Sequence, residues 1–191
     1  RSRALASALT QSGVAASAII LTGSPVAGRF TFPESVDHVR LPGVKKLADG
    51  SYVSQAPGED IEATTALRAG LIQSTVAQYE PDLLIVDKES TGFRGELLPT
   101  LEMLNRSGKT RIVLGLRDVL DEPEVLAAEW ERKGSIAATE AFYDEIWVYG
   151  VKSVYDPTAG LPLSDAARAR MFWTGYLRRE IIDHAEVPDT P

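Results

Sequence analysis

Short apolar runs alternate with helix-like segments along nearly the whole chain, and this alternation limits the fold more than any other feature of the sequence. The runs cover residues 18–21, 36–41, 83–86, 111–116, 145–149 and 170–174, each of strand length. Helix-like patterns cover 2–11, 61–79, 97–105, 123–132, 135–142 and 164–169. Two helix starts carry local signals. Asp121, followed by Glu122, Pro123 and Glu124, combines a capping side chain, first-turn acids and an early proline. Ser164 precedes Asp165 and an Ala-rich run. Strands joined through helices run parallel, because the helix must cross the sheet face before the chain re-enters it. The sequence therefore predicts an α/β fold in three layers around a mainly parallel sheet.

Composition narrows the function classes. With 44% hydrophobic and 25% charged residues, a core can form and remain solvated, and 191 residues suit one α/β domain, or one and a fragment. No apolar run approaches the roughly 20 residues of a membrane helix. A net charge of −7 argues against broad, nonspecific nucleic-acid binding. With no cysteine there is neither a disulfide framework nor a thiolate metal site, which is compatible with the cytoplasm. His38 and His184 are far apart and neither has metal-ligand spacing, so no cofactor is expected. The first residues are already helix-like with no preceding strand and no initiator Met, and residues 185–191 are polar and proline-bearing. The expectation is a segment of a longer chain: a domain over 1–180, then a linker over 181–191.

The chemistry concentrates where strands end. After Leu83-Leu84-Ile85-Val86 come Asp87, Lys88 and Glu89, then Thr91, Gly92 and Gly95, with a helix beginning near Glu96. In an open parallel sheet such loops line the crevice beyond the carboxyl ends of the strands, where ligands bind. Backbone N–H groups of 91–95 could approach an anion there. Two glycines without a Lys-Ser/Thr pair make this weaker than a P-loop, and the plain alternative is that Lys88 pairs with Glu89 while the glycines turn the chain. Arg117 offers a planar fork for a carboxylate or phosphate; Asp118 could orient it or accept a substrate hydroxyl, and the pair could equally be a structural lock. Trp147-Val148-Tyr149-Gly150 and Phe172-Trp173-Thr174-Gly175-Tyr176 repeat the theme. Trp147, Phe172 and Trp173 read as core, whereas Tyr149 and Tyr176, at strand ends, read as ligand contacts beside Gly150. The breaker-rich stretch 42–60 reads as a surface loop with a short hairpin at Asp49-Gly50, or as a flap over a ligand cleft.

Four segments taken in order carry a resemblance: Leu83 to Lys88 with Gly92 and Gly95-Glu96-Leu97; Leu114-Gly115-Leu116-Arg117-Asp118-Val119-Leu120-Asp121-Glu122-Pro123; Tyr143-Asp144-Glu145-Ile146-Trp147-Val148-Tyr149-Gly150; and Phe172-Trp173-Thr174-Gly175-Tyr176-Leu177-Arg178-Arg179. Together they resemble the N-terminal half of predicted bacterial glycosyltransferases of GT-B fold, distantly similar to the MurG transferases. The resemblance implies a Rossmann-like domain on the acceptor side of a two-domain enzyme, here without its first strand and the Gly-His loop that follows it. The histidine often proposed as a base in related enzymes therefore falls on no residue of this chain.

What the resemblance implies is transfer of a sugar from a nucleotide-diphosphate sugar to an acceptor hydroxyl. The donor would be held mainly by a second domain and the acceptor, in some such enzymes lipid-linked, mainly by this one. A base near the hydroxyl and positive or N–H groups near the leaving diphosphate are then required. Lys88, Glu89, Thr91, Gly92, Gly95 and Glu96 would shape the cleft, with Arg117, Asp118, Tyr149, Gly150 and Tyr176 toward the acceptor. Any Mg²⁺ would be held by donor phosphates and residues outside this segment. Ile181, Ile182 and Arg178-Arg179 offer a small patch for peripheral membrane contact, and a plain helix end explains them equally well. Two alternatives stay open: half of a sugar-nucleotide epimerase, and a non-catalytic subunit that binds or recruits the acceptor for a separate catalytic chain.

Overall fold

The computed structural model describes residues 1–13, 16–48, 51–56, 58–120 and 123–177. Its elements run α1 (Ser2–Gln11), β1 (Ala18–Thr22), β2 (Val36–Arg40), β3 (Val44–Lys46), β4 (Tyr52–Ser54), α2 (Ile61–Tyr79), β5 (Leu83–Asp87), α3 (Leu98–Ser107), β6 (Arg111–Arg117), α4 (Pro123–Arg132), α5 (Ser135–Phe142), β7 (Glu145–Tyr149), α6 (Asp165–Ala169) and β8 (Met171–Trp173). Ser164 caps α6 as its sequence position suggests, its Oγ accepting from the Ala167 N–H at 3.2 Å. Asp60 does the same for α2 through the Ala63 N–H. The expected cap at Asp121, the turn at Asp49-Gly50, the 178–182 patch and the 181–191 linker lie outside the described residues.

The α/β expectation holds. Strands β5, β6, β7 and β8 form a parallel sheet in sequence order, flanked by helices and compatible with a Rossmann-like fold. Alternation along the strands sends Val86, Ile112, Leu114, Leu116, Ile146 and Val148 to one face. There they join a single buried cluster with Ile72 and Val76 of α2, Leu101 and Leu104 of α3, Leu126 and Trp130 of α4 and Ala167 of α6. Asp87, Gly115, Arg117, Trp147 and Tyr149 belong to the other face by the same alternation.

The parallel strands fall into two sheets among the described residues, because β1 and β2 pair only with each other. The expected hairpin is present: β3 and β4 pair antiparallel, with Lys46 opposite Tyr52. The outermost expected strand is shorter than 170–174, since the Arg170 N–H bonds back to Ala167 O and its guanidinium to Tyr143 O.

Burial separates the strands sharply. Residues 112–116 of β6 are all buried, whereas every residue of β1 and the apolar Leu83, Leu84 and Ile85 of β5 are only half-buried. Among the described residues each of those two strands has a single neighbour. Sheet interiors open only with much of the domain, while strands with an unpaired edge open locally. Hydrogen exchange should therefore find its slowest amides in β6 and β7 and much weaker protection in β1. Equal protection of β1 and β6 would contradict this order.

Candidate functional site

The candidate site is the edge formed by the carboxyl ends of β5, β6 and β7. Asp87 closes β5, and Lys88 turns away from the strand at φ +72°, its N–H donating to Gly115 O at 2.8 Å. A lysine in this left-handed region carries backbone strain of the kind that persists where surrounding contacts fix it. Those contacts are present. The Tyr143 hydroxyl donates to Ser90 O at 2.6 Å, and Ser90 Oγ to Ser135 O, so the loop is pinned from beneath by buried groups.

Lys88 and Glu89 do pair, at 3.8 Å, but the closer partner of Glu89 is Lys133 at 2.8 Å, which also reaches Glu129 at 2.7 Å. The two carboxylates hold Lys133 above its usual value against the opposing effect of burial. An alternating charge chain thus runs along the loop beside the crevice. Solvent-accessible pairs of this sort, here partly buried, contribute little to stability.

Two of the five N–H groups of the expected anion cradle, those of Gly92 and Phe93, are used inside the glycine loop itself. The Gly92 N–H bonds to Glu89 O, the Glu96 N–H to Phe93 O and the Leu97 N–H to Thr91 O, while the Phe93 N–H donates to Glu96 Oε1. These donors are consumed inside the loop. Glu96 is itself the loop's anion: it is buried, and Arg68 of α2 donates to it through Nε at 2.5 Å and Nη2 at 2.7 Å. Thr91 is buried as well. Gly92 sits at φ +70°, where a Cβ would lie 2.7 Å from Leu97 Cγ, and Gly95 at φ +84°. Both glycines are explained by the turn. Arg68 also donates to Pro42 O at 2.7 Å and lies over the Phe93 ring, whose other neighbour is Tyr52 of the hairpin. The stretch read as a loop or flap is therefore fastened to the glycine loop.

The remaining residues do converge. Arg117 is exposed at the end of β6, on the face that carries Asp87, and pairs in register with Tyr149. No hydrogen bond or ion pair joins it to Asp118 among the described residues, so the structural-lock alternative is not the arrangement adopted. Asp118 instead lies against Gly150, where an added Cβ would sit 2.7 Å from its own. Gly150 is thus needed for close approach. Its carbonyl accepts from the Gly175 N–H at 3.1 Å, which brings the exposed Tyr176 to the end of β8 beside the same edge.

Tyr149 is 5% exposed, and its hydroxyl stands over Gly115. Burial first, then the Asp87 carboxylate, push its phenol up to about 12, so it is protonated at neutral pH. Asp87 stands among the strand-end charges of the sequence but outside the expected cleft residues, and Gly115 is not singled out there. A lone glycine inside an apolar strand is nevertheless a signal of close approach, and Gly115 is such a glycine.

Two surface clefts lie elsewhere: one of about 410 Å³ between Ile19 and the end of α2, and one of about 160 Å³ lined by Lys152, Asp156, Arg168, Met171 and Trp173. No group of three His, Asp or Glu residues among the described ones could hold a metal ion. No described helix is long and apolar enough to cross a membrane. No family model matches this chain, and neither a curated protein nor a solved structure does.

Proposed function

We propose that this chain is the acceptor-binding half of a glycosyltransferase that moves a sugar from a nucleotide-diphosphate sugar to an acceptor hydroxyl. One observation carries the reading. Asp87, Lys88, Arg117, Asp118 and Tyr149 meet at the carboxyl edge of a parallel sheet, the side on which such sheets bind ligands. The set is mixed in charge and rich in hydrogen-bond donors and acceptors, which suits a polyhydroxylated ligand better than a diphosphate. Internal use of the Gly92 and Phe93 N–H groups supports the same choice, since it leaves fewer donors for an anion at this loop.

In this reading Arg117 grips the acceptor and Asp118 flanks it, with Tyr176 at the rim. The base, the donor site and domain closure belong to parts of the enzyme outside this domain. The complete gene product, incubated with labelled uridine-, guanosine- and thymidine-diphosphate sugars and a panel of hydroxyl acceptors, should place label on an acceptor. Label recovered only as an epimerised nucleotide sugar would favour the epimerase alternative and overturn this one. Replacing Arg117 by Ala should weaken acceptor binding by about 1–3 kcal/mol, the range for a charge-assisted contact. Unchanged acceptor affinity in the folded variant would remove Arg117 from the site.

A further inference from the structure

Among the described residues, two buried side-chain polar atoms lack a hydrogen-bond partner: Thr100 Oγ1, within α3, and Tyr149 Oη. A buried hydroxyl left unpaired is costly, and an orphan at a strand end invites a ligand. Tyr149 leaves β7 on the face that carries Asp87, Gly115 and Arg117. Its ring leans back over Gly115, so closely that a Cβ there would lie 2.2 Å from Oη. Gly115 is the register partner of Asp87 on the neighbouring strand, about 4.8 Å away. The phenol therefore reaches across β6 toward the Asp87 carboxylate, which is 38% exposed and accepts from Arg1 Nη1 at 2.8 Å.

These two groups select a ligand chemistry. The carboxylate only accepts, while the protonated phenol has a proton to donate. One group that satisfies both is an uncharged hydroxyl, which donates to Asp87 through its hydrogen and accepts from Tyr149 at its oxygen. A phosphate or carboxylate would meet the Asp87 charge, and an ammonium has no lone pair for Tyr149. We propose that Asp87 and Tyr149 hold one hydroxyl of a sugar or sugar-like acceptor, a placement that rests on the acceptor-binding reading above. Tyr149 Oη is covered, so ligand entry requires a side-chain movement at this edge, where the partly exposed Arg1–Asp87 ion pair lies.

The test is an NMR titration of the complete gene product, labelled with ¹³C at tyrosine Cζ, with methyl glycosides of glucose, galactose, mannose and N-acetylglucosamine. The Tyr149 signal should shift and saturate with at least one of them, and inorganic phosphate should leave it unmoved. In Tyr149→Phe, which keeps the ring, and in Asp87→Asn, which keeps the shape, that glycoside should bind at least fivefold more weakly, followed through the Gly115 and Gly150 amides. Binding elsewhere along the edge with both variants unaffected would overturn the Asp87–Tyr149 placement and leave the acceptor reading standing. Phosphate moving the Tyr149 signal would overturn the hydroxyl assignment. No glycoside binding anywhere on the chain would overturn the placement and count against the acceptor reading together.

Discussion

Replacing Glu96 by Ala should cost about 3–5 kcal/mol of folding stability, a large fraction of what a domain of this size has. The figure follows from burial. Arg68 and Glu96 are each 6% exposed, and two parallel N–H···O bonds join them. Removing the carboxylate leaves a buried guanidinium charge without its counter-ion, held between α2 and the glycine loop with Pro42 O as its remaining acceptor among the described residues. The Phe93 N–H loses its acceptor in the same change. By contrast, the exposed pairs Arg94–Glu62 and Arg111–Glu145 should each give about 0–1 kcal/mol on truncation. Urea unfolding decides: the midpoint of Glu96→Ala should fall far more than that of Glu62→Ala, with similar slopes. The double variant Arg68→Met with Glu96→Leu should recover much of the loss, because an apolar pair leaves no stranded charge. Equal, small losses from Glu96→Ala and Glu62→Ala would show that the pair is not desolvated.

That ion pair also marks where sequence reading reaches its limit. The alternation of apolar runs and helical patterns was legible because period 2 and period 3.6 are local properties, and the strands of the four-stranded sheet appear within a residue or two of their expected ends. The glycine loop was ambiguous for a physical reason. A strand, two glycines and a helix start describe both a cradle for an external anion and a turn closed on an internal one. The choice was made by Arg68, which lies 28 residues upstream and carries no local mark of its partner. The Arg1–Asp87 contact spans 86 residues and is equally invisible. The half-burial of β1 could not be read either, since Ala18-Ile19-Ile20-Leu21 looks like any interior strand and its exposure depends on which strands stand beside it. Arg117, Asp118, Tyr149 and Gly150 were legible as an edge because position at a strand's carboxyl end follows from the alternation alone.

Gly115→Ala should test the site and the fold at once. Gly115 lies buried in the second strand of a parallel sheet, with neighbours on both sides, where a residue with a side chain would ordinarily be favoured. A methyl group there would fall 2.2 Å from Tyr149 Oη, 2.8 Å from its Cζ and 3.0 Å from Cε2, so the ring has to move. Overpacking of this kind costs about 1–3 kcal/mol. Removing the hydroxyl eliminates the worst of these contacts but not the ring carbons, so Gly115→Ala should cost less in a Tyr149→Phe background, by a measurable part of the total. A displaced ring also takes the phenol away from Asp87, so Gly115→Ala should weaken glycoside binding with every polar group of the edge still present. Stability and binding lost together, with coupling to Tyr149, are the signature of a phenol positioned over a glycine. Gly115→Ala at full stability, with no coupling to Tyr149→Phe, would place the ring elsewhere and remove the basis for the Asp87–Tyr149 pair.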